Sequence, residues 1–105
     1  MMTTAEEEVD SPFLSDYDIF LFRQGKHYRI YQKMGSHPLV MGGTSGTWFS
    51  VWAPNARQVS VIGDFNGWDP SCHLLHERPD QSGIWEGFIA GAQTGMRYKY
   101  HIVYD

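Results

Sequence analysis

Short runs of alternating side chains begin at Thr47, and this two-residue period constrains the fold more than any other feature. The first run, TWFSVWA, separates its side chains into two sets: Thr47, Phe49, Val51 and Ala53 against Trp48, Ser50 and Trp52. A strand places successive side chains on opposite faces, so such alternation is typical of a strand with one buried face. Three later runs alternate in the same way: QVSVIG at 58–63, GIWEGFIA at 83–90 and MRYKYHIVYD at 96–105. Short strands separated by Pro, Gly, Asn and Asp predict an antiparallel β-sandwich.

The residues before this region differ in composition and lack the period. Residues 1–15 begin MMTTAEEEVDSP, which is acidic and polar, and we expect a disordered tail there. Residues 16–46 are expected to be a lead-in and linker, in which Asp16 or Asp18 caps a short helix. Residues 35–46 contain four glycines and a proline and therefore predict a turn-rich linker, with the sandwich starting at residue 47.

Composition limits the class of protein and of partner. The 105 residues are 42% hydrophobic and 15% aromatic, which suits one domain with one core. The net charge of −4 argues against nucleic acid or an anionic membrane as the partner. Cys72 is the only cysteine, so no disulfide can form within the chain. With no secretory signal pattern at the start, these features predict a cytoplasmic protein.

Two pairs of polar residues are candidates for chemistry. Asp64 and Asp69 are two carboxylates near Asn66, and glycoside cleavage requires a pair of carboxylates. They lie in a glycine-rich turn, however, where Asp is favoured for hydrogen bonds to the backbone. His73 and His76 lack the helical spacing of a metal site and are expected to be surface histidines. The sequence therefore predicts no catalytic residue, no metal and no cofactor.

The aromatic residues and the turn glycines have structural interpretations. Four aromatic side chains are expected in or near the core: Trp48, Trp52, Phe65 and Trp85. Gly63 and Gly67 are expected to adopt positive φ in the turn that follows the second strand.

Three blocks resemble, in order and spacing, the N-terminal β-sandwich of 1,4-α-glucan (glycogen) branching enzymes, a family-48 carbohydrate-binding module also called an early set domain. The blocks are WAPNA at 52–56, GDFNGW at 63–68 and YKY at 98–100. Isoamylases, trehalohydrolases and glycogen-binding kinase subunits share these blocks. The stretch at residues 21–38, LFRQGKHYRIYQKMGSHP, resembles the lead-in of branching enzymes, with Ser36 where most relatives have Ala. The lead-in favours a branching enzyme, and the likeness covers residues 16–105.

The resemblance implies an all-β, immunoglobulin-like sandwich of the early set type. Because the last alternating run, 96–105, reaches the end of the sequence, we also expect that a strand pairing beyond it is missing and leaves an exposed edge. The resemblance implies a non-catalytic module that binds α-glucan, either glycogen or a maltooligosaccharide, and packs against the catalytic barrel of the same polypeptide. That barrel would cleave an α-1,4 link with retention and form an α-1,6 branch, so the catalytic carboxylates lie outside this chain. The alternatives are a free-standing glycogen-targeting or protein-interaction module, or the module of an isoamylase-type debranching enzyme.

The resemblance also implies the carbohydrate-binding residues. In members that bind glucan, a Trp at the end of the FN-x-W block and a Lys on the YK strand line the site, and these positions correspond to Trp68 and Lys99. Asn66, a polar neighbour in the same turn, is the third expected binding residue. A second stacking aromatic of such members has no counterpart in this chain. Trp68 could instead cover one end of the sandwich or pack against the barrel.

Overall fold

The computed structural model describes residues 13–25, 30 and 33–104. The chain divides into two compact units, residues 1–35 and residues 36–105. The first unit contains helix α1, Asp16–Arg23.

Helix α1 begins with a capping box. The Ser15 hydroxyl accepts a hydrogen bond from the Asp18 backbone N–H at 3.1 Å, and the Asp18 carboxylate accepts one from the Ser15 N–H at 2.8 Å. The prediction that Asp16 or Asp18 is the cap is therefore wrong, because Asp18 occupies the third helical position and acts as the reciprocal partner. Asp18 also forms a buried ion pair with Lys33, whose Nζ lies 2.7 Å from Oδ2.

The residues on either side of α1 explain its limits. The helix ends at Arg23, and Gly25 follows with a φ of 70°, the left-handed conformation that commonly ends a helix. Of the tail expected at residues 1–15, residues 1–12 lie outside the described part of the chain. Leu14 is buried, and its neighbour serves as the helix cap.

The strands form two antiparallel sheets. Six strands lie within the described residues: β1 (Gly35–Met41), β2 (Thr44–Trp52), β3 (Ala56–Gly63), β4 (His76–Glu77), β5 (Ile84–Ala90) and β6 (Tyr98–Tyr104). One sheet has the order β1-β2-β5-β4, and the other pairs β3 with β6. The prediction of an all-β, immunoglobulin-like sandwich is confirmed.

The core follows the predicted alternation. In β2 and β5, Phe49 lies opposite Gly87, and Val51 lies opposite Trp85. The buried cluster between the sheets contains eight residues: Phe49, Ala53, Val59, Val61, Leu75, Trp85, Ile89 and Ala92. Three side chains of β6 pack against it from the second sheet: Tyr98, Tyr100 and Ile102. Burial raises the pKa of the Tyr100 hydroxyl above its usual value.

The predicted core aromatics fall into different environments. Trp85 is 7% exposed and Phe65 packs against the core, as expected. Trp52 is 55% exposed, so its assignment to the core is wrong. The two-residue period places it on the face of β2 opposite to Phe49, where its indole Nε1 donates to the Ser82 carbonyl at 3.2 Å.

The linker expected at residues 35–46 is also wrong, because β1 and the start of β2 occupy it. Gly42 and Gly43 join the two strands with φ values of 57° and 83°. Two consecutive positive φ angles are typical of the type I′ turn, whose twist matches that of a hairpin. Pro38 is tolerated because β1 lies at the edge of its sheet.

Candidate functional site

The turn after β3, residues 64–69, lies beside the beginning of β6. In the β3–β6 ladder, Ile62 lies opposite Lys99 and Gly63 lies opposite Tyr98. The Trp68 backbone N–H donates to the Gly63 carbonyl at 3.1 Å. This contact and the strand register bring Trp68 and Lys99, two residues predicted from the sequence, to the same end of this sheet.

Trp68 combines exposure with an unusual backbone conformation. Its side chain is 36% exposed, and its φ is 61°, directly after Gly67 at 65°. Left-handed φ in a bulky residue costs on the order of 1–3 kcal/mol and persists only where the surroundings enforce it. Other contacts must therefore hold this turn in place.

The two turn glycines have different reasons to be glycine. The expected positive φ is found at Gly67, whereas Gly63 is absent from the positive-φ residues of the structure. A Cβ at Gly63 would instead meet the carbonyl oxygen of Arg97 and approach Phe65 Cε2 to 2.8 Å. Gly63 is therefore required for space, because the backbone of β6 and the Phe65 ring lie against it.

Asn66 binds the turn to β3 through its side-chain amide. Oδ1 accepts a hydrogen bond from the Gly63 N–H at 3.0 Å, and Nδ2 donates to the Val61 carbonyl at 2.9 Å. Nδ2 also lies 2.8 Å from Nδ1 of His73. Both amide hydrogens are thus used within the protein, which gives Asn66 a structural role that the sequence did not reveal.

The carboxylates near this turn bond to backbone groups, as expected of turn residues. Asp64 Oδ2 accepts from the Arg97 N–H at 3.0 Å. Asp69 Oδ1 accepts from the Ser71 N–H at 2.9 Å and from the Ser71 hydroxyl at 2.8 Å. The backbone bond, followed by the hydroxyl bond, lowers the pKa of Asp69 below its usual value. Hydrogen bonding to Asp69 raises the pKa of the exposed Cys72 thiol, which opposes thiolate formation.

The two histidines differ in exposure. His76 lies exposed on β4, as predicted. His73 is half-buried, and its ring packs on Phe65 with the ring centres 5.8 Å apart, so its assignment to the surface is wrong. Among the residues that the structure describes, no three His, Cys, Asp or Glu side chains are grouped so that they could hold a metal ion.

Lys99 is exposed on β6, at an alternate position from the core-facing Tyr98 and Tyr100. No carboxylate of the described residues is within ion-pair distance of its ammonium group. The three hydrogens of that group can therefore be donated to a ligand's oxygen atoms.

A cavity of about 280 Å³ lies nearby but does not include these residues. Phe49, Phe65 and Tyr98 line one part of it, and residues 92–96 line another. No charged side chain lines it. Trp68 and Lys99 do not line this cavity, and we call the end of the β3–β6 sheet that carries both residues the Trp68–Lys99 surface.

No helix in the described part of the chain has the length and apolar character needed to cross a bilayer.

Comparisons with known proteins agree with the β-sandwich fold and also identify a family and several relatives. The family described as carbohydrate-binding module 48 (isoamylase N-terminal domain) matches residues 33–105. The 1,4-alpha-glucan branching enzyme GlgB of Thermosynechococcus vestitus is 56% identical over 92 residues, which are 88% of this chain and 12% of the relative. The enzyme of the same name from Rubrobacter xylanophilus is 49% identical over 102 residues, or 92% of this chain and 14% of the relative. The chain thus spans about one eighth of the length of these relatives.

Proposed function

Because the chain belongs to the carbohydrate-binding module 48 family, we propose that its β-sandwich binds α-glucan at the Trp68–Lys99 surface and acts as the non-catalytic N-terminal module of a 1,4-α-glucan branching enzyme. The observation that carries this proposal is the conformation of Trp68. An aromatic side chain is kept partly exposed at a φ of 61°, a backbone conformation that opposes folding. Residues with strain of this kind cluster at functional sites, which supports a binding role for Trp68.

The chemistry of the surface suits a neutral sugar chain. The flat ring of Trp68 offers an apolar surface for the CH-rich face of a glucose unit, and Lys99 can donate hydrogen bonds to its hydroxyl groups. Glycogen and maltooligosaccharides carry no charge, so the chain's net charge of −4 does not repel them. Asn66 takes part by holding the turn, since its amide hydrogens already have protein partners.

The similarity to branching enzymes favours that parent over an isoamylase-type debranching enzyme. The alignment with the Thermosynechococcus enzyme covers 92 residues, which is longer than the family match at 33–105, so it extends into the lead-in. Glucan transfer itself would take place on a barrel in the rest of the polypeptide, because retention requires two carboxyl groups about 5–5.5 Å apart in a rigid site. We propose that the module packs against that barrel and keeps glucan near it. The cytoplasmic location stays a prediction.

Maltoheptaose titrations of the 105-residue chain test the binding proposal. Trp68→Ala should lose about 1–3 kcal/mol of binding free energy, by analogy with the stacking of bases on aromatic side chains. Lys99→Met keeps the apolar stem and should weaken binding by less, since it removes only hydrogen-bond donors. Trp52→Ala is the matched control, because Trp52 is more exposed than Trp68 and lies in the other sheet.

Melting curves of the same variants separate binding from folding. A Trp68→Ala protein that binds maltoheptaose as tightly as the wild type, or that loses no more affinity than Trp52→Ala, contradicts the proposal. A strongly destabilised Trp68→Ala with unchanged affinity would identify Trp68 as a cover for the end of the sandwich.

A further inference from the structure

The hydrogen-bond polarity around Asn66 fixes the tautomer of His73. The Gly63 N–H can only donate, so the amide atom 3.0 Å away must be Oδ1. The Val61 carbonyl can only accept, so the amide atom 2.9 Å away must be Nδ2. With the amide orientation fixed by these two backbone groups, Nδ2 directs its second hydrogen at Nδ1 of His73, 2.8 Å away. That nitrogen must accept, which requires the neutral ring with its proton on Nε2.

The backbone of His73 is hydrogen-bonded to β3, the strand that precedes the turn. Its carbonyl accepts from the Val61 N–H at 3.0 Å, and the Leu75 N–H donates to the Val59 carbonyl at 2.8 Å. The segment after the turn therefore runs alongside β3. The His73 ring also packs on Phe65, a member of the turn itself. A backbone hydrogen bond and a ring contact thus hold His73 beside Asn66.

The contacts of Asn66 lead directly to Trp68. The Asn66 and Trp68 N–H groups both donate to the Gly63 carbonyl at 3.1 Å, and the Asn66 carbonyl accepts from the Asp69 N–H at 3.3 Å. The two left-handed residues, Gly67 and Trp68, lie between these bonded positions. Trp68 is therefore hydrogen-bonded to Gly63, the residue whose N–H the Asn66 amide also holds.

We infer that His73 is a positioning residue for Trp68: its unprotonated Nδ1 fixes the Asn66 amide, and that amide keeps the turn in the conformation that presents the indole. The importance of this role for glucan rests on the proposed function of Trp68. The positioning itself does not, because it concerns only contacts within the chain.

Two substitutions distinguish the contribution of the His73 ring from that of its hydrogen-bond acceptor, Nδ1. His73→Phe keeps an aromatic ring against Phe65 but has no acceptor, whereas His73→Asn loses the ring and offers Oδ1 near the place of Nδ1. We would measure amide hydrogen exchange in the 105-residue chain. In His73→Phe, the Gly63 and Trp68 amides should exchange about tenfold faster, which corresponds to about 1.4 kcal/mol of local opening free energy.

The exchange measurement has two kinds of control: two other amides within each variant, and a separate variant at an exposed histidine. The Val61 and Leu75 amides donate to carbonyls in the pairing of residues 73–75 with β3, outside the turn, so their exchange should stay within about twofold of the wild type in each variant. His73→Asn should restore most of the protection of Gly63 and Trp68. His76→Phe changes an exposed histidine and should leave all four amides unchanged.

Unchanged exchange of Gly63 and Trp68 in His73→Phe, or no better protection in His73→Asn than in His73→Phe, overturns the inference. Long-range proton–nitrogen NMR spectra of the wild-type His73 ring give a test that needs no variant and so does not depend on its folding. A proton on Nδ1 would contradict the inference, and a proton on Nε2 supports it.

Maltoheptaose affinity then distinguishes this inference from the proposed function. If His73→Phe changes exchange and weakens binding severalfold, both stand. If it changes exchange but Trp68→Ala binds like the wild type, the positioning role stands and glucan binding by Trp68 fails.

Discussion

Two turns of this chain each place two consecutive residues at positive φ, and they differ in what stands at the second position. The turn between β1 and β2 uses Gly42 and Gly43, with φ values of 57° and 83°. The turn after β3 uses Gly67 and Trp68, with φ values of 65° and 61°. The first therefore reverses the chain with the residue that adopts this conformation without steric cost, whereas the second places one of the largest side chains there.

The surroundings of the two turns differ in the same way. A Cβ added at Gly42 or Gly43, or at Gly67 in the turn after β3, would meet nothing within 4 Å, so the positive-φ glycines of both turns face open space. The turn after β3 is held by Asn66, and a Cβ at Gly63 would meet the backbone of β6. Chain reversal alone does not require such support. The comparison indicates that the second turn is built to hold a side chain in place.

The largest effect should come from filling the space at the base of the second turn. Gly63→Ala puts a methyl group against the Arg97 carbonyl and Phe65, and we expect it to cost about 2–3 kcal/mol of unfolding free energy, the usual scale for overpacking. Gly42→Ala is the matched control and should cost only about 1 kcal/mol, because it faces open space and suffers from φ alone. Urea denaturation of both variants measures the difference. Equal costs would show that the second turn is no more tightly held than the first.

The sequence predicts the elements that have one buried face. Alternation identified β2, β3, β5 and β6, because the two-residue period is the direct consequence of packing one side of a strand on a core. It failed for β1, in which glycine and proline suggested a loop although an edge strand tolerates Pro38. It also failed for β4, which has only two residues and no period to detect.

The position of the turn that carries the candidate site was predictable from the sequence, whereas the contacts that hold this turn were not. The glycine-rich block located the turn, and the resemblance selected Trp68 and Lys99. The support from His73 comes from outside the turn, and a hydrogen bond between side chains leaves no periodic signal in the sequence. Trp52 was misplaced because a large aromatic suggests burial, even though its alternate position assigned it to the outer face.

A smaller effect should reveal the backbone strain at Trp68 directly. Alanine and glycine both remove the indole, so Trp68→Ala and Trp68→Gly differ mainly in their tolerance of a φ of 61°. We expect Trp68→Gly to be the more stable by about 1 kcal/mol, since an L residue in the left-handed region costs roughly that amount. Thermal melting of the two variants provides the comparison.

The control for this comparison is a position with ordinary φ. Ala90 is exposed at the end of β5 and is not among the residues with positive φ, so Ala90→Gly should reduce stability by about 0.5–1 kcal/mol. The opposite signs at the two positions are the expected result. If Trp68→Ala is at least as stable as Trp68→Gly, the turn is not strained at this residue in solution.

The smallest expected effect is a loss of stability at acidic pH through Asp69, the residue that follows Trp68. Hydrogen bonds from the Ser71 backbone and hydroxyl hold the pKa of Asp69 below its usual 3.8, so the ionised carboxylate is favoured in the folded chain. This contribution to stability is fully present above the unfolded pKa near 3.8 and is lost as the pH falls through the lower folded pKa. Asp69→Asn keeps an acceptor for Ser71 but does not titrate. The melting temperature of the wild type relative to Asp69→Asn should therefore be constant above the unfolded pKa and decline below it. The decline should be small because solvent screens an exposed carboxylate. A difference that does not change with pH would show that the pKa of Asp69 is the same in the folded and the unfolded chain.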